Sequence, residues 1–139
     1  MTTLRLDKLN LVWDGIKKGE LKHDQTSFFC GTSACVAGWI VASEAIEMGF
    51  KLGDSRCPFT LGYAVCRAVG VTDFWEYARE LIGLSQLEAI LIFSVDAEIK
   101  IQQDTIDALN SGNRFGVDKK IKASESIDYQ KCVSIAGLT

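Results

Sequence analysis

A chain of 139 residues that is 47% apolar is long enough for one well-buried core and too short for two ordinary domains. That apolar fraction sets aside a disordered chain. The net charge of −3 argues against a general nucleic-acid binder, because bulk electrostatics repel phosphate. Met1 to Lys8 lacks a basic region followed by an apolar core, so no secretory signal peptide is expected. The longest apolar run, Val36 to Ala42, falls far short of the ~20 residues of a bilayer span. The expectation is a cytoplasmic protein without membrane association. Five cysteines in that compartment are expected as thiols, and an odd number cannot pair completely within one chain.

With Pro58 as its one proline, the chain reads as helices punctuated by glycine: one mostly α, compact domain of five to seven helices. Leu6, Leu9, Val12, Trp13 and Ile16 form one helical face, and Gly19 is its stop. His23 to Phe29 connects to a second helix, expected from Ser33 as N-cap to Met48, with Gly49 as C-cap. That helix is apolar nearly all round, so it is expected at the centre with Trp39 buried. Lys51 to Phe59 reads as a loop and Thr60 to Val69 as a short helix closed by Gly70. Thr72 can cap a helix over Asp73 to Ile82, ended by Gly83, and Ser85-Gln86-Leu87-Glu88 has the form of a capping box. The last full helix is expected over Asp96 to Leu109, with Ile99, Ile106 and Leu109 on its core face.

Charge then changes character. Val71 to Asn110 holds eight acids against two bases, whereas Arg114 to Lys131 holds five bases against three acids. We therefore divide the chain into a helical domain over 1–113 and a basic, partly packed tail over 114–139. The tail reads either as a solvated segment or as one that docks on an acidic partner or on its own acidic helices. Ile127, Val133, Ile135 and Leu138 suggest that part of it packs, as a strand or a short helix.

The most distinctive segment is Cys30-Gly31-Thr32-Ser33-Ala34-Cys35-Val36-Ala37-Gly38-Trp39. The structural reading makes Cys30, Gly31, Thr32, Ser33, Cys35, Gly38 and Trp39 a fold-building motif. Gly31-Thr32-Ser33 would turn the chain into the helix, the cysteines would fill small volumes, and Gly38 would admit a close neighbour. A catalytic alternative makes Cys35 or Cys30 a nucleophile, activated by the helix N-terminus. The sole histidine, His23, lies upstream rather than at the downstream position of papain-like enzymes, and the cysteine spacing differs from theirs. A third reading has Cys30 and Cys35 ligate a metal, completed by Cys57, Cys66, Cys132 or His23. A fourth has the pair cycle between dithiol and disulfide, although its spacing is not Cys-x-x-Cys. Gly31, Gly38, Gly49 and Gly53 match neither phosphate-binding glycine fingerprint, and no cofactor is implied. Glu44 with Glu47, and Glu76 with Glu80, read as solvent faces, while Trp13, Trp39 and Trp75 read as core or interface anchors.

The cysteine segment resembles a Cys-Gly-Thr-x-x-Cys-Ile-Ala-Gly signature of small uncharacterised proteins from bacteria and their phages. His23 to Phe28, Leu81 to Ser85 and Gln103 to Gly112 resemble the flanking parts, so the similarity spans about residues 20 to 112. In that pattern the position of His23 is usually apolar. The resemblance implies a helical fold and a phage or mobile-element setting, and it assigns no catalytic residues. The resulting expectation is a small non-enzymatic protein-binding protein, an inhibitor or adaptor directed at a host or defence component. The alternative is the cysteine-nucleophile enzyme.

Overall fold

A computed structural model describes residues 4–20, 22–23, 33–34, 36–49, 67–70, 73–94, 96–117 and 128–138. Helix α1 (Leu6–Lys17) buries the expected face, with Leu9, Val12 and Trp13 in the core and Leu6 and Ile16 packed at its edge. Trp13 satisfies its indole N–H on Gln103 Oε1 at 2.8 Å. The helix ends at Lys18 and turns at Gly19, whose φ of 76° suits glycine.

Strands β1 (Lys22–His23) and β2 (Ser33–Ala34) then pair in parallel, Lys22 opposite Ser33 and His23 opposite Ala34. This corrects the N-cap assigned to Ser33. Its backbone is spent on the ladder, and helix α2 (Val36–Glu47) begins three residues later. Val36, Ala37, Gly38, Ile40, Val41, Ala42 and Ala45 of α2 are buried, and Gly49 ends the following turn at φ 94°. Of the helix expected over 60–69, residues 67–69 are described and are helical, with Gly70 closing the turn.

Helix α3 (Phe74–Ile82) is capped by Asp73, whose side chain accepts from the Glu76 N–H at 3.1 Å, in place of the neighbouring Thr72. Gly83 ends it in the left-handed region, as its position predicts. Helix α4 (Gln86–Phe93) opens on the expected capping box: Ser85 Oγ accepts from the Glu88 N–H, and Glu88 Oε1 accepts from the Ser85 N–H. Every residue from Leu87 to Phe93 is buried.

Helix α5 (Ile99–Asn110) starts three residues after Asp96, with Glu98 at its N-cap. Ile106 and Leu109 are buried as expected, but Ile99 is 67% exposed. A helical side chain tilts toward the N-terminus, so the first residue projects off the packed end of the helix. Asn110 and Asn10 exchange amide hydrogen bonds at 2.8 and 2.9 Å, tying the end of α5 to α1. Helix α6 (Tyr129–Ala136), capped by Asp128, is the packed part of the basic segment, and it is a helix rather than a strand.

The arrangement is mostly helical, with the helices packed together around two apolar clusters. The larger joins α1, α2, α3, α4 and α5, and the smaller joins Leu87, Ile90 and Leu91 of α4 to Ile101, Tyr129, Cys132 and Val133. Helix α2 is buried along most of its length, and α4 contributes to both clusters. No helix among the described residues is long and apolar enough to cross a membrane.

Candidate functional site

The site grows from the seam between α1 and α2. Lys8, near the start of α1, is fully buried, and its ammonium donates to Glu44 Oε2 at 2.5 Å and Glu47 Oε2 at 2.8 Å, near the end of α2. The two helices therefore run antiparallel. This also corrects the reading of Glu44 and Glu47 as a mere solvent face: they clamp a buried cation. The hydrogen bond from Lys8 holds the Glu47 carboxyl below the usual carboxylate range, against the smaller opposing effect of burial. Glu76 and Glu80 divide differently, since Glu76 pairs with Arg79 and Glu80 is exposed.

Beyond that clamp the seam opens into an apolar groove of about 320 Å³. Small residues make it concave: Gly15 of α1 and Ala42 and Ser43 of α2 bring no bulk to the floor. Leu11, Trp39 and Ile46 form the walls. Leu11 is 64% exposed and Ile46 52%, and Met48, just beyond, is also exposed. Trp39, expected in the core, is partly buried and packs against it, which makes it a wall of the groove as well as a core residue. Glu20 and Glu47 are the charged groups among the described lining residues. Among its described lining residues the groove thus has an apolar interior and two acids, and no catalytic grouping.

A second polar cluster lies at the start of α4. Glu88 is fully buried, and its carboxylate accepts from Arg114 Nε at 2.8 Å, Arg114 Nη2 at 2.9 Å and the Phe115 N–H at 2.9 Å. Ser85 Oγ donates to the Phe115 carbonyl oxygen. Burial pushes the Glu88 carboxyl up, but Arg114 and the Ser85 and Phe115 N–H groups outweigh it, and the net direction is down. Gly116 follows at φ 63°, where an added Cβ would lie 2.8 Å from the Cβ of Leu87. Only glycine suits that position. The first residue of the basic segment is thus docked on an acid of the protein's own helix.

Of the motif residues, Cys30, Gly31, Thr32 and Cys35 lie outside the described residues, as do Cys57 and Cys66. Ser33 is in β2, Gly38 is buried in α2, and Cys132 is fully buried in the smaller cluster. Among the described residues no three His, Cys, Asp or Glu side chains are grouped as a metal site. Trp75 is partly buried and meets Phe93 edge-on, with ring centroids 5.9 Å apart.

Leu11, Ile46 and Lys8 escaped the sequence reading. The available signal was Leu11 itself, an apolar residue off the Leu9–Val12–Trp13 face. Comparison with family models, with curated proteins and with solved structures finds no match to this chain.

Proposed function

We propose that this chain is a small non-enzymatic protein-binding protein that engages its partner through the α1/α2 groove. One observation carries the reading. Two large apolar side chains, Leu11 and Ile46, stand largely in solvent and line the same concave seam between α1 and α2. Concave apolar surface rimmed by charge is the usual form of a docking site. The inhibitor or adaptor role, directed at a host or defence component, rests on the resemblance of Cys30 to Trp39 to the phage and bacterial signature. The test is photo-crosslinking from positions 11 and 46 in the native host, followed by affinity measurement with the purified adduct partner. Leu11→Glu and Ile46→Glu should remain folded and weaken that partner's affinity by at least about tenfold, the loss of one well-placed apolar contact. Unchanged affinity in both variants rejects the groove as the docking site.

A second reading is favoured by the strand register. Pairing of His23 with Ala34 sets the backbone of the sole histidine beside the residue that precedes Cys35, and α2 starts immediately after it. Chain order, which separates His23 from the papain-like arrangement, is no obstacle to spatial proximity. From this backbone proximity alone, we propose as the alternative a nucleophilic Cys35 with His23 as its base. A low-pKa thiol at position 35 would alkylate rapidly below pH 7, and His23→Ala would slow it; alkylation at the rate of an ordinary thiol in both proteins rejects the reading.

A further inference from the structure

We infer that the strap at 114–116 and helix α6 form a cover that lifts from α4 as a unit while the rest of the helical assembly stays folded. Lifting bares the apolar face of Leu87, Ile90 and Leu91. The inference is independent of the groove between α1 and α2.

The two apolar clusters draw on different parts of the chain. No described residue beyond Leu109 belongs to the larger cluster, so the cover can leave without taking a side chain from it. Helix α4 lies between the clusters: Ala89, Ile92 and Phe93 join the larger one, and Leu87, Ile90 and Leu91 the smaller. With the cover off, α4 keeps its hold on the larger cluster.

What holds the cover down is modest. Tyr129, Cys132 and Val133 of α6 join the smaller cluster, and the Tyr129 hydroxyl accepts from the Glu98 N–H at 3.2 Å. A helix of eight residues is marginal alone in water, so α6 loses its helix when it loses α4. The strap is fastened by polar contacts, chiefly Arg114 and the Phe115 N–H on Glu88. Opening returns both the guanidinium and the carboxylate to water, so the pair resists opening far less than its hydrogen bonds suggest. Segments with few buried apolar contacts open at a lower free energy than the core. Phe115 couples the two parts: its side chain packs on the smaller cluster, while Glu88 and Ser85 hold its backbone. The backbone of Gly116 runs close against Leu87 of the same cluster.

The experiment uses the full chain, with the Cys132 thiol as reporter because that side chain is fully buried under the docked cover. The protein is treated with iodoacetamide over a series of low urea concentrations, and peptide mass spectrometry assigns the adducts to Cys132. The labelling rate follows the open fraction when opening and closing outpace alkylation. Cys132 should label at least about tenfold faster than global unfolding allows, with a urea dependence less than about half as steep, because opening exposes less surface. Ile40→Val, in the larger cluster, should leave that rate unchanged within about twofold, although it raises the globally unfolded fraction. Glu88→Gln, checked for helical circular dichroism, should raise the rate at least about tenfold, since Arg114 is then stranded in the closed form. A urea dependence as steep as that of global unfolding overturns the inference, as does acceleration by Ile40→Val in proportion to its loss of stability. An unchanged rate in Glu88→Gln overturns it by separating the strap from α6. Labelling at the rate of an unstructured thiol overturns it too, by showing that α6 is not docked.

Discussion

Helices α2 and α4 look alike as sequences, each an apolar run with almost no polar stripe, yet the fold treats them differently. Helix α4 is wrapped on every side: α5, α6 and the stretch from Arg114 to Gly116 cover what the larger cluster leaves open. Helix α2 is covered by α1, α3 and α4, but its last two turns leave Ile46 at the surface beside Leu11. An all-round apolar helix implies that every face will be covered in the working protein. Where the described residues leave one face open, the proposed partner would supply the cover.

The largest effect should come from emptying the wrapped helix. Leu91 of α4 is fully buried, so Leu91→Ala should cost about 3 kcal/mol through lost burial and the cavity left behind. Urea unfolding followed by circular dichroism measures it. A loss below about 1 kcal/mol would mean that α4 is less tightly enclosed than α2, and the contrast between the two helices would fail.

Next is the ion pair that seals α4. Glu88→Gln should cost about 2–3 kcal/mol, somewhat less than the loss of a wholly buried pair, because the stranded Arg114 side chain is about one-third exposed and can rehydrate. The sign of its pH dependence follows from its direction of shift. A carboxyl held below its ordinary value stabilises the fold fully above the ordinary range, and that contribution is lost as pH falls through the folded-state value. Stability of the native protein should therefore fall on acidification below roughly pH 4.3, and the fall should be shallower in Glu88→Gln. Parallel pH profiles for the two proteins would show that Glu88 is not held ionised by Arg114.

The clamp under the open helix is the reverse arrangement, a buried cation held by partly exposed acids. Lys8→Ala should cost about 2 kcal/mol, since it leaves a void but frees Glu44 and Glu47 to hydrate. Lys8→Met, which refills the volume, should recover most of that, to within about 1 kcal/mol of the native protein. If the methionine variant were as unstable as the alanine variant, the charge itself would be what holds α1 to α2.

Much of this was legible one helix at a time. Ser85 with Glu88, and Gly19, Gly49 and Gly83, mark helix ends through local backbone demands that a short window of sequence reveals. Asp73 and Thr72 are both competent caps side by side, so sequence alone could not choose between them. Ser33 misled for a related reason: a good N-cap residue is also compatible with extended backbone, and the partner strand at Lys22 and His23 decided the matter. The groove was hidden because it belongs to neither helix. Leu11 is an ordinary exposed leucine on α1 and Ile46 an ordinary apolar residue on α2, and only their antiparallel packing over Gly15 and Ala42 makes a site. Lys8 was equally opaque, its two acids lying 36 and 39 residues away.

The smallest effect on stability should come from the groove walls. Leu11→Ser and Ile46→Ser remove apolar surface that already faces water for more than half its area, so each should change stability by no more than about 0.5 kcal/mol. The same substitutions on a surface meant to be covered should cost about 1–3 kcal/mol of partner affinity, because the lost contact is formed only in the complex. That separation of the two quantities is what distinguishes a binding face from an exposed edge of the core. A stability loss of about 2 kcal/mol in either variant would place these side chains in the fold's own packing. The open seam would then be one more part of the core, and the difference between α2 and α4 would vanish with it.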